Sequence, residues 1–556
     1  MILPKKILVA VALPYVNGEP HLGHIAGMNV PADIFARYHR LRGNQVVMVS
    51  GSDMHGTPTA LKAMDEGVEP IEIATKYHEI WKNSLEKMGF SYDLYTHTHT
   101  ATHKKTVHDI FLKLKQQDFL SEKSQKMPFS TTEKMFLSDR FVEGECPFCS
   151  YKNARGDQCD DCGRTLDPTD LINIKSKRDG STPKFKDTTH QFLNLSKFQD
   201  ALEEWISDKN DWRPNVKNQS MGMIKEGLID RAITRDIEWG ISVPIKEGYE
   251  NKRIYVWFEA VIGYLSATIE WAEISGTPDL WKDFWLDEDA ESYYFQGKDN
   301  VPFHTIIWPA ILLGYGNLNL PTDVVANEYL NLGGIDFSKS KGHAVWLSDY
   351  LSRYDPEPLR YYLASIMPET SDSEFTWAGY VSANNNELVA TLGNFVHRVL
   401  TMTNKNFEIL SKPSRFGKTD LQALSDCDKA LEDVSQSIQD RKFRSALQSA
   451  MKLAQSGNKY IDQKKPWFEL KSDKTKAATT LWVGINIIAT LRTVFYPFLP
   501  STSKLIHEML GFKENTLHDG WERKKILDDI KIESPSPLFK KLEDTVIEDE
   551  NNRLMN

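Results

Sequence analysis

The sequence predicts a two-part molecule: a parallel, doubly wound α/β domain interrupted by an insertion, followed by an all-α bundle. Three observations predict it. Apolar, β-branched runs alternate with helix-length amphipathic segments near the start of the chain and again past its middle. Four of the five cysteines crowd into the interval between those two stretches. Beyond Ser382 no strand pattern persists, and helical periodicity takes over.

Taken in order, Ile7 to Leu13 reads as a buried parallel strand, followed by a Pro/Asn/Gly turn and a helix from Leu22 to Leu41. Gln45 to Ser50 supplies a second strand, and Thr59 to Glu66 and Ile71 to Met88 read as helices. From Phe119 to Asp230 the pattern breaks into short strands, the cysteine cluster and polar connections, so this stretch is an insertion. Strand-like segments return at Ile254 to Trp257 and Ser292 to Phe295. Helical periodicity then runs through Asn384 to Asn404, Leu421 to Gln455 and Lys476 to Leu499, which makes a bundle. The end, rich in Lys, Glu and Asp with Pro535 and Pro537, reads as a short helix or tail. The expected units are residues 1–118, 119–230 with a cysteine knuckle at about 143–165, 231–325, 326–382, 383–534 and 535–556.

A chain of 556 residues exceeds one core, and roughly three or four domains are expected of it. With 40% hydrophobic and 26% charged residues it has the composition of a folded, soluble protein. A net charge of −10 excludes coating of nucleic acid through bulk charge, so any RNA surface must be a local basic patch. Lys5 and Lys6 ahead of Ile7 to Leu13 superficially resemble a signal peptide, but the apolar run is short and passes directly into a motif-rich segment. No uninterrupted apolar stretch approaches the ~18 to 20 residues that cross a bilayer. No membrane partner and a cytoplasmic location are therefore expected.

Pro14-Tyr15-Val16-Asn17-Gly18-Glu19-Pro20-His21-Leu22-Gly23-His24 places two histidines three residues apart on one face of a helix start. Unpaired backbone N–H groups and the positive dipole end make such a place fit for phosphate oxygens, and Gly23 would let a flat base approach. A bare pair of surface or capping histidines is the competing reading. Cys146-Pro147-Phe148-Cys149 and Cys159-Asp160-Asp161-Cys162 form two Cys-x-x-Cys pairs separated by nine residues. Four thiolates complete a tetrahedral Zn²⁺ shell with no open position, which suits a structural site; disulfides are the alternative, disfavoured by the clustering.

The segment ending His21-Leu22-Gly23-His24 resembles the HIGH signature of class I aminoacyl-tRNA synthetases, and the resemblance runs on through Gly51-Ser52-Asp53-Met54-His55-Gly56-Thr57-Pro58. Their second signature, KMSKS, is matched by Asp336-Phe337-Ser338-Lys339-Ser340-Lys341-Gly342, with Asp336 in place of the first lysine. Within that class the chain most resembles the methionyl enzymes over nearly its whole length, and this implies a Rossmann-like catalytic domain with a zinc-knuckle insertion and an anticodon-binding helix bundle. It implies catalytic roles for His21, His24 and Lys339, and ATP contacts from His21, Gly23, His24, Arg235, Gly297, Ser338, Lys339, Ser340 and Lys341.

By the same resemblance Leu13, Tyr15, Trp257, Ala260, Tyr264 and His304 would line a methionine pocket that Asp299 helps to close, and Asp53 would take the substrate ammonium. The chemistry agrees, because aromatic faces hold a polarizable thioether well and a carboxylate is the natural partner of an ammonium. Read without the resemblance, Tyr255, Trp257 and Tyr264 are equally core aromatics. Val261 and Asn300 depart from the family pattern at the pocket edge. An apolar pocket discriminates similar side chains by only ~1 to 3 kcal/mol, so norleucine and homocysteine are expected competitors.

Asn394, Arg398 and Trp467 match the anticodon-reading positions, where an aromatic ring stacks a base and Asn and Arg read its edge. Trp467 after Pro466 would otherwise be read as a packing residue. The expected activity is ligation of L-methionine to tRNA(Met) at the expense of Mg-bound ATP, by a monomer carrying one structural zinc. Its rivals are another class I synthetase specific for a different apolar amino acid, and a tRNA-binding protein with an ATP site weakened by Asp336.

Overall fold

Five parallel strands, Lys6–Val11 (β1), Gln45–Ser52 (β2), Leu94–His97 (β3), Glu291–Gly297 (β4) and Asp323–Asn327 (β5), form the main sheet in the order β5-β4-β1-β2-β3. The computed structural model describes residues 4–245, 247–333, 335–336, 344–512, 520–523, 526 and 529–555. Ile7 to Val11 of β1 are all buried, as a strand covered on both faces requires. Because β1 has β2 on one side and β4 on the other, the chain leaves its carboxyl end between two diverging connections. A crevice opens there.

The helix expected from Leu22 runs to Leu41, with one wide turn at Ile25–Asn29. The Asn29 amide enters that turn, donating to the His24 carbonyl at 3.2 Å while its Oδ1 accepts from Tyr92 at 2.7 Å. Such turns recur at functional sites. In the insertion, Leu120–Ser130 and Lys184–Leu193 pair as a long antiparallel ribbon that carries the cysteine module. The module has its own small core of Leu137, Phe141, Val142, Leu166, Leu171 and Ile174. Helices Gln199–Ser207 and Pro214–Glu226, with Trp212 between them, then return Leu202, Ile206 and Val216 to the core of the main sheet.

The strand expected at Ile254 to Trp257 is not part of that sheet. Arg253–Ile254 pairs with Thr234–Arg235, Arg253 also bridges to Ser242, and Val256–Ile274 is a helix. Buried around most of its circumference, this helix has no polar stripe, so its β-branched and aromatic start imitates a strand. The division expected between residues 325 and 326 falls inside β5, which stays paired with β4 as far as Asn327.

In the bundle, the helix expected over Leu421 to Gln455 is two, Lys418–Gln439 and Phe443–Lys464, reversing through Arg441 at φ +58° with no Gly or Pro to mark the turn. A two-residue ladder, Leu410–Ser411 with Asp529–Ile530, adds strand where none was expected. Lys474–Phe495 is apolar and long enough to cross a membrane, yet nearly all of it is buried among the other helices. The final segment ends in a helix, Thr545–Met555, that docks on the residues after the second signature: Glu550 accepts from Arg353 Nε and Nη2, both at 2.9 Å, and from Tyr354 at 2.8 Å.

One buried ion cluster joins the two parts. Asp33, on the first helix, is fully buried and accepts from Arg360 Nη2 at 2.5 Å, Arg37 Nε at 2.8 Å and Ser91 N at 2.7 Å. Arg360 also donates to the Phe498 and Pro497 carbonyls at the end of the bundle's core helix. Burial opposes ionisation of Asp33, but the Arg37 and Arg360 guanidiniums outweigh it and hold the carboxyl below the usual range. Arg360→Met is therefore expected to lower unfolding stability by about 3 kcal/mol, because buried Asp33 loses one of its two guanidinium partners. A denaturation midpoint unchanged from wild type would contradict this.

Candidate active site

A cleft of about 980 Å³ opens at the carboxyl ends of β1 and β4. Its floor comes from Ala12, Leu13, Pro14 and Tyr15 after β1, and its walls from Asp53 after β2, from Trp257, Ala260 and Tyr264 on one helix, and from Gly297, Asp299 and His304 after β4. Each of these sheet and helix ends is fixed locally. Gly51 lets β2 approach Thr96, whose carbonyl would lie 2.7 Å from any Cβ, and Gly56 at φ +87° turns the chain against Val256 into Thr57–Glu66.

His21 and His24 lie on the cleft at the helix start, with ring centroids 3.6 Å apart. The His21 backbone N–H donates to His24 Nδ1 at 3.2 Å, so neutral His24 carries its proton on Nε2. Gly23 lies beside them on the cleft wall. Ser338, Lys339, Ser340 and Lys341 lie outside the described residues. The segment that follows them is stitched to the first signature: Leu22 N donates to the Val345 carbonyl at 3.2 Å, Leu347 N donates to the Pro20 carbonyl at 2.9 Å, and Trp346 bridges to His21. The backbone from Val345 to Leu347 thus runs alongside the first signature.

Asp53 is almost wholly buried. Burial, and then the charge of Glu259, push its carboxyl well above its ordinary range, against an opposing contribution from Arg140. A cation entering the cleft would reverse that. Trp257 Nε1 donates to the Tyr15 hydroxyl, and its ring meets Phe303 edge-on at 4.1 Å. His304 Nδ1 donates to the Asn300 carbonyl at 2.8 Å, so its Nε2 accepts from the Tyr264 hydroxyl at 2.7 Å. Burial holds the imidazole neutral, with its pKa down at about 4. With both polar groups turned to each other, this wall presents mainly carbon to a ligand.

Arg235 is not brought to the cleft. Its guanidinium lies 3.9 Å from the Tyr255 ring centre and donates to the Ala232 and Thr234 carbonyls. The arginines on the cleft are instead Arg140 and Arg155 of the insertion, each paired with an aspartate. Arg140 bonds to Asp157 at 2.9 Å and covers the Tyr15 ring at 5.4 Å. Nothing in the polar sequence of the insertion marked these residues. Gly263 was also missed as a pocket determinant: a Cβ there would lie 2.8 Å from Leu13 Cδ2 and push that side chain.

The four cysteine sulfurs lie within 4.8 Å of one another, with Cys146–Cys162 at 3.9 Å and Cys149–Cys159 at 3.5 Å. These separations exceed a disulfide bond and match the ~3.8 Å edge of a thiolate tetrahedron with bonds of ~2.3 Å. Each pair ends in a matched left-handed residue, Ser150 at φ +62° and Gly163 at φ +70°, whose N–H donates back to Cys146 or Cys159. In the bundle, Asn394 and Arg398 sit one turn apart on a helix face, and the Arg398 guanidinium lies 5.3 Å from the Trp467 ring centre. Phe468 beside it is 61% exposed, an aromatic that no motif marks.

Residues 7–400 match the family model of class I tRNA synthetases (M), and residues 411–556 match that of the anticodon-binding domain of methionyl tRNA ligase. The chain belongs to the class I methionyl-tRNA synthetases. Among curated relatives, a methionine–tRNA ligase of Dehalococcoides mccartyi is 48% identical over 99% of this chain and 100% of its own. One from Thermomicrobium roseum is 45% identical over 100% of this chain and 99% of its own. The Mycobacterium tuberculosis methionyl-tRNA synthetase, solved with methionyl-adenylate, shares the fold at a TM-score of 0.79 and 22% identity, over 97% of this chain and all of that one. Membership of this family extends over both the sheet domain and the bundle.

Metal analysis of the purified chain is expected to find about one divalent ion, which four clustered thiols would hold, and Cys159→Ser is expected to lose it. Freshly purified protein without metal would contradict the tetrahedral reading.

Proposed function

We propose that this chain activates L-methionine with ATP and transfers it to tRNA(Met). The observation that carries the reading is a buried carboxyl, Asp53, at the head of a pocket walled by Tyr15, Trp257, Tyr264 and neutral His304. There the α-ammonium would sit on Asp53, and the thioether would lie among Leu13, Trp257, Ala260, Tyr264 and His304. Asp299 would close the pocket edge. ATP, with Mg²⁺ as its counter-ion, would lie along His21, Gly23, His24 and Gly297, with Ser338, Lys339, Ser340 and Lys341 reaching the phosphates.

In the first step a methionine carboxylate oxygen bonds to the α-phosphorus, and the electron pair of the broken P–O bond leaves with pyrophosphate. In the second, a hydroxyl of the tRNA's terminal ribose attacks the adenylate carbonyl, and AMP departs. The protein contributes position and charge: His24 Nε2–H and Lys339 offset the charge that grows on phosphate oxygens. Zinc would be the ion held by Cys146, Cys149, Cys159 and Cys162, where it would fix the fold of the module beside the cleft mouth and take no part in the reaction. Asn394, Arg398 and Trp467 would read the anticodon. The working form would be a cytoplasmic monomer.

Methionine, among a panel of amino acids, is expected to stimulate exchange of pyrophosphate into ATP, and Lys339→Ala to reduce it by about 100-fold or more. Exchange driven by another amino acid would overturn the substrate, and none at all would favour the tRNA-binding reading. Trp467→Ala is expected to weaken charging of tRNA about tenfold, the value of one stacked base, while leaving exchange intact. Unchanged charging would remove Trp467 from the anticodon site.

A further inference from the structure

Behind the ammonium site lies a buried chain of titratable groups that the reaction above does not use. Glu259, on the helix Val256–Ile274, is fully buried. His55 links it to Asp53: the His55 backbone N–H donates to Asp53 Oδ1 at 3.3 Å, and its ring Nδ1 lies 2.9 and 3.0 Å from the two Glu259 oxygens. His55 Nε2 meets His99 Nδ1 at 2.9 Å, and His99 is exposed. A continuous hydrogen-bonded path therefore runs from a buried carboxyl to solvent.

The proton count along this path is constrained. With His55 Nδ1–H donating to Glu259, His55 Nε2 must accept, so His99 Nδ1–H donates to it. On the other side of Glu259, His103 Nδ1 lies 2.7 Å from Ser266 Oγ, whose own proton goes to the Gly263 carbonyl at 3.1 Å. His103 thus donates through Nδ1, and its Nε2 faces Glu259 Oε2 at 3.5 Å with no hydrogen-bond partner. Two lone pairs face each other unless one more proton resides on Glu259 or His103. Burial pushes the Glu259 carboxyl up to about 7, against the opposing pull of His103. The other charged or titratable groups facing the path are Tyr15 and Arg140 with its partner Asp157 at the floor, Tyr264 on the helix, His97 beside His99, Glu79 near His97 and Lys104 near His99.

We propose that Glu259 is a positioning residue that holds a releasable proton, and that methionine binding at Asp53 drives the loss of that proton to solvent. The inference rests on Asp53 being the ammonium site. Two neighbouring buried carboxyls share one charge in the free site, and the arriving ammonium stabilises the second. The proton leaves the Glu259 oxygen, its electron pair remains on the carboxylate, and the base that receives it is buffer. Because the bound state holds fewer protons, methionine affinity should rise with pH up to the midpoint of the free site and flatten above it.

The test is calorimetric titration of the full-length chain with methionine near pH 7, in buffers of different ionisation enthalpy, repeated across pH. Wild type is expected to release a substantial fraction of about one proton per methionine. Glu259→Gln is expected to lose most of that release. His103→Gln, which removes the group that lowers the Glu259 midpoint, should move the inflection in affinity to higher pH. A purely structural role would neither remove the proton release in Glu259→Gln nor raise the inflection in His103→Gln. Methionine binding with no buffer dependence in wild type would overturn the inference while sparing the ammonium site, and wild type alone decides this should a variant not fold. Absence of methionine binding would overturn both.

Discussion

The position of β1 in the middle of a parallel sheet is the constraint on which the remainder depends. A strand with parallel neighbours on both sides must send its chain out at one edge of the sheet, where the connections to β2 and β4 part. That parting sets Leu13 and Tyr15 between Asp53 and Gly297, and puts the start of the His21 helix across the opening. Burial of Ile7 to Val11 on both faces holds the strand there. Were β1 an edge strand, the carboxylate, the aromatic wall and the start of the His21 helix would have no common cleft.

Around that opening the protein uses charge in two ways. Where the fold must be rigid, opposite charges are buried together, as Asp33 is with Arg37 and Arg360, and the pair ties the helix leaving the cleft to the core helix of the bundle. On the cleft, two carboxyl groups, Asp53 and Glu259, are buried near each other, and both resist ionisation. The insertion adds Arg140 and Arg155 to the mouth, and its small core is too slight to hold them without the cysteine cluster. The cysteine cluster and the two arginines on the cleft thereby belong to one module.

Much of this was legible in the sequence. Strand β1, the helix from Leu22 and the cysteine spacing carry strong local signals: a continuous apolar run, a turn followed by 3.6-residue periodicity, and ligands at fixed offsets. The helix beginning at Val256 was misread because burial on most sides erases the polar stripe that distinguishes helix from strand. The reversal at Arg441 uses a left-handed residue that is neither Gly nor Asn, which pattern cannot foresee. Arg140, Arg155 and Glu259 gain their meaning only from neighbours far along the chain. Arg235 matched a motif, yet its guanidinium is turned to the Ala232 and Thr234 carbonyls and the Tyr255 ring.

The most direct test of the account is the crystal structure of this chain with methionine bound. The account predicts the α-ammonium within hydrogen-bonding distance of the Asp53 carboxylate, and the thioether against Trp257, Tyr264 and His304 with the Tyr264–His304 hydrogen bond retained. Methionine elsewhere in the cleft, or an ammonium held by another carboxylate, would contradict it.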